Sequence, residues 1–488
     1  MDNVFVIGID IGTTNIKGSV FSGTGKAGPF FSISYPSYVP VKNFHEQDPF
    51  DWVNGTLKVL GGLTQDKKIK DNLAAISFST QGGTFVPVDK NYEPLCPAIT
   101  WLDRRGQEIF DADKSLAALN DWFYSITGWR LDCNMSVLPV LWLKKNRPGL
   151  FRKIYKIFYV NDFVQHALSG SYFQDPSNAS ISLFYNVAEG NWDKDIINMA
   201  GLRTCNFSEV RQSGEIAGLL SGKICKKLGL NREVMLINGG HDQYCSSISS
   251  GILSDESMLL ATGTAWVLFK LLKKPLFDPV KYYSIGRSVI KGCFGLIYSI
   301  PAAGASVGWF ATELMGLKNE KKLFKTEKKY IKEFVEMKND IIYRPYLTGS
   351  YGPDFNMGRK ASFENLGLGH NYLDMYKAIL EGAGFQVKKI LNAFEESNIR
   401  TSSIKMVGGA AKSCVWPQII SDITGLDIQI PVGSGADFAS AGAAILAGYG
   451  AGIFKSIAHG YGLTKKTFKI IKPTGKNIEF YRNKFRFF

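Results

Sequence analysis

"VFVIGIDIGTTNIKGSVF", residues 4–21, decides the fold. Two apolar runs enclose glycines, one carboxylate and paired threonines. Ile16, Gly18 and Val20 alternate with Lys17, Ser19 and Phe21 at period two, which is strand spacing and not helix spacing. The stretch therefore reads as strand, turn, strand, with the turn at Gly12, Thr13 and Thr14. A Rossmann loop needs a helix after its glycines, and none follows here. A P-loop needs G-x-x-x-x-G-K-[ST]. The "GTGKA" at 23–27 fails, because Lys26 is followed by Ala27 and the neighbours are hairpin strands.

What remains is a hairpin turn whose backbone N–H groups and hydroxyls line an anion. Gly12 lets the backbone come close, and Thr13 and Thr14 add donors. Asp10 cannot face phosphate directly, since like charges repel, but it can hold Mg²⁺ through water. An ordinary hairpin with a Gly-Thr turn is the competing reading. A second copy weighs against it: "SMLLATGTAWVLF" (257–269) is again strand, Gly-Thr turn, strand. Two such turns, one per domain, can clamp a triphosphate.

The chain has 488 residues, and two domains of roughly 250 residues each follow from the size at which single cores stop growing. The repeated hairpin puts the boundary near Gly251, giving domains 1–250 and 251–488. Lys and Arg total 57 against 43 Asp and Glu, a net charge of +14, part of it in the C-terminal stretch "TKKTFKIIKPTGKNIEFYRNKFRFF". No nucleic-acid motif accompanies the charge, so it reads as a solvated face and nucleic acid is not an expected partner. No apolar run is long enough to span a bilayer, and no basic segment with a cleavage site opens the chain. The seven cysteines are scattered without a C-x-x-C pair, which fits reduced thiols in a cytoplasm and argues against a zinc site.

Along the chain, strands 73–80 and 84–89 flank "QGG", and 138–146 and 162–168 look like amphipathic helices. The strand "VMLIN" leads into "GGHD" and a run of small residues suited to a closely packed helix. "AAGASVGWF", "YLDMYKAILEGAGFQVKKIL", "IKMVGGAAKS" and "ADFASAGAAILAGYG" are later landmarks.

These motifs resemble the actin-like ATPase superfamily and, within it, the FGGY carbohydrate kinases. "GIDIGTT" is similar to that family's first phosphate loop and "PAITWLDRR" (97–105) to its AI-x-W-x-D-x-R segment. "DPSNASISLFYN" (175–186) resembles its D-x-[ST]-N-A-S stretch. "GGHDQ" (239–243) resembles the catalytic G-x-x-D-[NQ] motif, "ATGTA" the second phosphate loop, and "VGGAAKSCVWPQIISDITGLDIQIP" (407–431) the adenosine motif. Each is weak alone, but six in the family's order are strong.

The resemblance implies an α/β fold of two actin-like (ribonuclease H-like) domains. Each is a mixed β-sheet flanked by helices, with a catalytic cleft between them, a sugar-binding N-terminal domain and a nucleotide-binding C-terminal one. It implies ATP-dependent phosphorylation of a sugar or polyol hydroxyl with Mg²⁺. By position, Asp242 is the catalytic base, and Asp10 and Asp242 lie near the metal. Gly12, Thr13, Thr14, Lys17, Gly263 and Thr264 meet phosphates, while Gly304, Gly409 and Ser413 fall at adenine-ribose positions. A homodimer stays open.

The chemistry agrees with that outline. An alcohol is too weak an acid to ionise unaided, so a carboxylate in hydrogen-bond reach takes its proton as the new P–O bond forms. Asp242 follows a strand and could also be a helix N-cap, two compatible roles. Gln243 fits a donor to a substrate hydroxyl. Trp101 can wall the sugar carbons, and Asp103 can accept from a hydroxyl unless Arg104 or Arg105 takes it. His241 reads as a loop or supporting residue.

Where glycerol kinases carry the Arg-Glu pair of N-Q-R-E-T, this chain has "TQGGT" (80–84), keeping Gln81 but placing Gly82 and Gly83 at the charged positions. A tyrosine that packs on glycerol falls at Asn134. Losing those groups argues against glycerol. The xylulokinase Met-His-Gly motif is not matched either. The two glycines are expected to open space for a longer substrate, a ketopentose with xylulose as the leading example. The alternatives are an actin-like ATPase with a chaperone or assembly role and no sugar substrate, or a kinase-like protein silenced by Gly83.

Overall fold

The computed structural model describes residues 3–278, 280, 283–350, 356–433 and 437–488. The chain packs as two compact units. The first comprises Met1–Leu253, Leu272–Gly295 and Ser434–Lys465; the second comprises Ser254–Leu271, Leu296–Gly433 and Lys466–Phe488. The first crossing thus falls close to Gly251, and two later segments return to the first unit.

The first unit is built on β1 (Phe5–Ile11), β2 (Asn15–Ser22), β3 (Ala27–Ser34), β4 (Leu73–Thr80), β5 (Ile216–Leu219) and β6 (Met235–His241), in the order β3-β2-β1-β4-β6-β5. β1 pairs antiparallel with β2 and parallel with β4, which pairs parallel with β6. Every residue of β1 and β4 is buried. That explains their continuous apolar runs, since parallel strands are covered on both faces. Ile7, Ile9, Ile76 and Phe78 join the main core cluster, each worth about 1.5–3 kcal/mol of burial. β3 is the edge strand and lies largely exposed.

In the second unit, six strands lie in the order β9-β8-β7-β10-β11-β12: β7 (Ser257–Thr262), β8 (Trp266–Leu272), β9 (Phe294–Ile300), β10 (Ser403–Gly408), β11 (Asp427–Pro431) and β12 (Phe468–Ile471). β7 pairs antiparallel with β8 and parallel with β10, and β10 pairs parallel with β11. Each unit therefore repeats one plan, a hairpin whose first strand heads a parallel pair. Both are mixed sheets flanked by helices.

The helices that matter below are α1 (Val160–Ser169), α2 (Asp242–Ser249), α3 (Ala303–Trp309), α4 (Tyr372–Glu396), α5 (Trp416–Thr424) and α6 (Phe438–Gly450). α6 belongs to the first unit, although its sequence lies near the C-terminus. Small residues let it come close. A methyl group placed on Gly8 of β1 would stand 1.9 Å from Ser440 O, and one on Gly442 would stand 1.9 Å from Cys245 O. Ser19 and Ser440 hydroxyls meet at 2.8 Å across the same contact. No helix among the described residues is long and apolar enough to cross a membrane.

Candidate active site

In the first unit, parallel pairing brings three strand ends to one edge. Asp10 lies opposite Ser79, Gly240 opposite Ser79, and His241 opposite Thr80. Ligands in such sheets bind outside the carboxyl ends of the strands. Asp10 is buried there, and Ser79 Oγ donates to its Oδ1 at 2.8 Å. Lys17 sits opposite Asp10 on β2, with Nζ 3.6 Å from Asp10 Oδ2 and 2.9 Å from Asp437 Oδ1. Asp437 Oδ2 also caps α6 by accepting from Ser440 N at 3.0 Å.

Burial, then the negative charges of Asp437 and Asp242, hold the Asp10 carboxyl well above the usual carboxylate range; Lys17 and Ser79 act the other way. Burial alone would lower Lys17, but Asp437 and Asp10 outweigh it and keep its ammonium above its ordinary value. The ionised form of Asp10 is thus disfavoured beside two other carboxylates, a penalty that a nearby cation relieves. Asp437 was not anticipated. Its only sequence signal is an Asp before a run of small helical residues, which marks a cap and says nothing of Lys17.

The Gly12–Thr14 turn is braced from behind. Tyr35 OH donates to Gly12 O, Gln47 Nε2 to Thr13 O at 2.7 Å, and Tyr35 N to Thr14 O at 3.1 Å. Gln81 is part of the brace. Its Nε2 donates to Gln47 Oε1 at 2.9 Å and Tyr35 Oη at 3.2 Å, and Trp52 Nε1 donates to the same Gln47 oxygen at 3.1 Å. All three turn carbonyls are thereby taken. The N–H groups of Thr13 and Thr14 have no protein acceptor among the described residues, the condition for an anion nest. Gln81, expected to touch substrate, spends its Nε2 in this brace, while its buried Oε1 has no protein partner. Gln47 and Tyr35 were missed because their partners lie far off in sequence.

The second turn, in the second unit, is exposed at Gly263 and Thr264. It is closed by Gly263 N donating to Ala265 O at 3.2 Å and held by Ala305 N of α3 donating to Thr264 O at 2.9 Å. A methyl group on Gly304 would stand 2.1 Å from Gly263 O. Gly304, expected at an adenine-ribose position, packs directly under the Gly263–Thr264 turn. Gly409 N donates to Thr262 O at 2.7 Å, tying the loop after β10 to the same turn.

Ser413, expected beside the ribose, is buried. Its Oγ donates to Glu327 Oε2 at 2.7 Å and accepts from Val415 N and Trp416 N, so its hydroxyl is spent bracing the entry to α5. Glu327 also accepts from Tyr376 OH of α4 at 2.6 Å.

His241, not Asp242, is the N-cap of α2, its Nδ1 accepting from Gln243 N at 3.3 Å. That leaves Asp242 in the first turn, where the helix dipole favours a carboxylate. The Asp242 side chain is one-third exposed, and Oδ1 lies 3.4 Å from His241 Nδ1. With Nδ1 acting as an acceptor, the two atoms share no proton. Asp242 Oδ1 and Gln243 Oε1 are buried atoms without a hydrogen-bond partner. A buried acceptor without a donor is costly, and a bound hydroxyl would relieve that cost.

Trp101 is 39% exposed, and its Nε1 donates to Thr13 Oγ1 at 3.0 Å, so the indole is tied to the Gly12–Thr14 turn. Asn134 Nδ2 donates to Trp101 O at 2.9 Å, leaving its own buried Oδ1 unpartnered.

Two further expectations need correction. Asp103 is fully buried, with Oδ1 accepting from Arg105 N and Nε at 2.8 and 2.9 Å, and Oδ2 from Arg105 Nη2 and His45 N at 2.8 and 2.7 Å. It has nothing left for a sugar hydroxyl and orders its own loop. Nor does Gly82 open space. A methyl group there would stand 2.3 Å from His241 Cδ2 and 3.0 Å from Ile181 Cγ2, because the imidazole already fills the volume. Gly83 alone borders open space, at φ 73°.

The comparisons agree with this geometry. The model of the FGGY family of carbohydrate kinases, N-terminal domain, matches residues 5–249, and its C-terminal counterpart matches 258–451. The chain is 28% identical over 423 residues to the xylulose kinase of Staphylococcus xylosus, covering 86% of each protein. To the xylulose kinase of Bacillus subtilis (strain 168) it is 26% identical over 485 residues, covering 99% of this chain and 95% of that one. The crystal structure of a xyloylose kinase from Brucella ovis superposes with a TM-score of 0.90 at 21% identity, over 99% of this chain and 97% of the other, a likeness of fold. With both domain models matched in order, the chain belongs to the FGGY family of carbohydrate kinases.

Proposed function

We propose that the protein transfers the terminal phosphoryl group of ATP to a hydroxyl of a ketopentose, with xylulose the first candidate. The observation that carries this reading is the buried, unpartnered Asp242 Oδ1 beside the equally unpartnered Gln243 Oε1. Asp242 accepts the hydroxyl proton as the oxygen attacks phosphorus. Lys17 and the N–H groups of the Gly12–Thr14 turn hold phosphate oxygens, and Gly263 and Thr264 do the same in the second unit. Trp101 covers the sugar carbons, with Asn134 and Gln243 orienting hydroxyls. The first unit is the sugar-binding part and the second the nucleotide-binding part.

Asp10 and Asp242 fit a Mg²⁺ site, because that ion keeps several waters and takes only one or two carboxylates beside phosphate. When bound, it neutralises charge on the transferring group. The seven cysteines are all free, which accords with a cytoplasmic location. The relatives named xylulose kinase support the substrate class.

The test is ADP release with a panel of ketoses, aldoses, sugar acids and polyols. Release that requires a ketopentose supports the reading. Release without any sugar would favour an actin-like ATPase with an assembly role, and no release at all would mark a silenced kinase.

A further inference from the structure

We propose that His241 is a specificity-determining residue, its Nε2–H donating to a substrate oxygen next to the one that Asp242 deprotonates, and that Gly82 is present so that this imidazole can occupy its place. The inference rests on the sugar-kinase reading above.

The ring is held from three sides. His241 N donates to Ser177 Oγ at 2.9 Å, itself bonded to Asp175 Oδ1 at 2.5 Å. Nδ1 accepts from Gln243 N at 3.3 Å, and the ring meets Tyr244 edge-on at 82° with centroids 5.8 Å apart. Because Nδ1 is the acceptor, the neutral ring carries its proton on Nε2. That atom points to Gly82, where a methyl group would lie 2.6 Å away. Among the described residues no protein group accepts from Nε2, although His241 is only 6% exposed.

That N–H is left for a ligand, and the next two residues carry the buried acceptors Asp242 Oδ1 and Gln243 Oε1, which have no protein partner. Three consecutive residues thus offer one donor and two acceptors: His241 Nε2–H, Asp242 Oδ1 and Gln243 Oε1. That set complements a ligand with several oxygens, two of them hydroxyl donors and one a hydroxyl or carbonyl acceptor. The ligand class is a polyhydroxylated carbon chain, and a deoxy analogue lacking the accepting oxygen loses the contact.

The experiment compares wild type, His241→Leu and His241→Gln with ATP and a sugar panel that includes deoxy analogues. Leu keeps apolar bulk over Gly82 without a donor, and Gln restores an N–H at similar reach. His241→Leu is expected to raise the sugar KM ~10-fold or more with the ATP KM unchanged, and His241→Gln to recover most of that loss. For the one analogue lacking the accepting oxygen, wild type and His241→Leu should be equal. An equal loss for every sugar, or an unchanged sugar KM, overturns the inference by leaving His241 a helix cap. Should His241→Leu fail to fold by thermal melting, Gly82→Ala decides. It displaces the ring without touching it chemically, and must show the same unequal loss across sugars or the inference fails. Wild type that uses no sugar overturns the kinase reading itself.

Discussion

Lys17 Nζ lies 2.9 Å from Asp437 Oδ1, although 420 residues separate the two in the chain. The pair joins β2 to the capped start of α6 and holds the Lys17 ammonium over Asp10. Replacing Lys17 by Met removes a charged donor, worth about 1.5–3 kcal/mol, from the phosphate site. The ATP KM or kcat should worsen ~10-fold or more, with sugar affinity unchanged by calorimetry. Asp437→Asn keeps a capping oxygen, so its melting temperature should stay near wild type while turnover falls.

Asp242→Asn preserves size and helix position but cannot take a proton. Sugar and ATP should still bind, with kcat at least ~100-fold lower in a coupled ADP assay. A near-normal rate would remove Asp242 from the role of base.

Gly304→Ala puts a methyl group 2.1 Å from Gly263 O, a contact that only backbone movement relieves. Overpacking of this kind costs about 1–3 kcal/mol. The damage should appear in the ATP KM and not in sugar binding, since both residues belong to the second phosphate turn.

Gly83→Ala tests backbone conformation alone. At φ 73° the nearest obstacle to a methyl group is Trp101 Cβ at 3.4 Å, so the cost is that of a left-handed residue, about 1–2 kcal/mol. The variant should melt lower yet retain activity, in contrast to Gly82→Ala.

Asp162 of α1 accepts from Tyr159 N at 2.5 Å and Ser208 Oγ at 2.7 Å, and burial pushes its carboxyl up to about 8. A folded value raised above the unfolded one, about 3.9, means the protonated form stabilises the fold. That contribution is full below the unfolded value and is lost as pH rises through about 8. This contribution to melting temperature should therefore fall between about pH 5 and 8 in wild type and level off above, and the fall should be shallower in Asp162→Asn.

Much of the architecture was legible because it is local. Period-two alternation around Gly12 and again around Gly263 marked two hairpins, and in the fold each heads a parallel pair. The six family-like motifs identified the kinase class. The side-chain assignments were less legible. Asp103, Gln81 and Ser413 carry polar groups that read equally well as ligands or as braces, and only their partners Arg105, Gln47 and Glu327 distinguish the two.

By itself the amino-acid sequence determined the strand-turn-strand units, the family and the candidate base, because each depends on residues within a few positions of one another. Tertiary structure alone decided that α6 returns to the first unit, that Asp437 faces Lys17, and that His241 takes the space over Gly82. Those outcomes follow from backbone approach at small residues and from burial of charge, and both arise only when distant segments pack together.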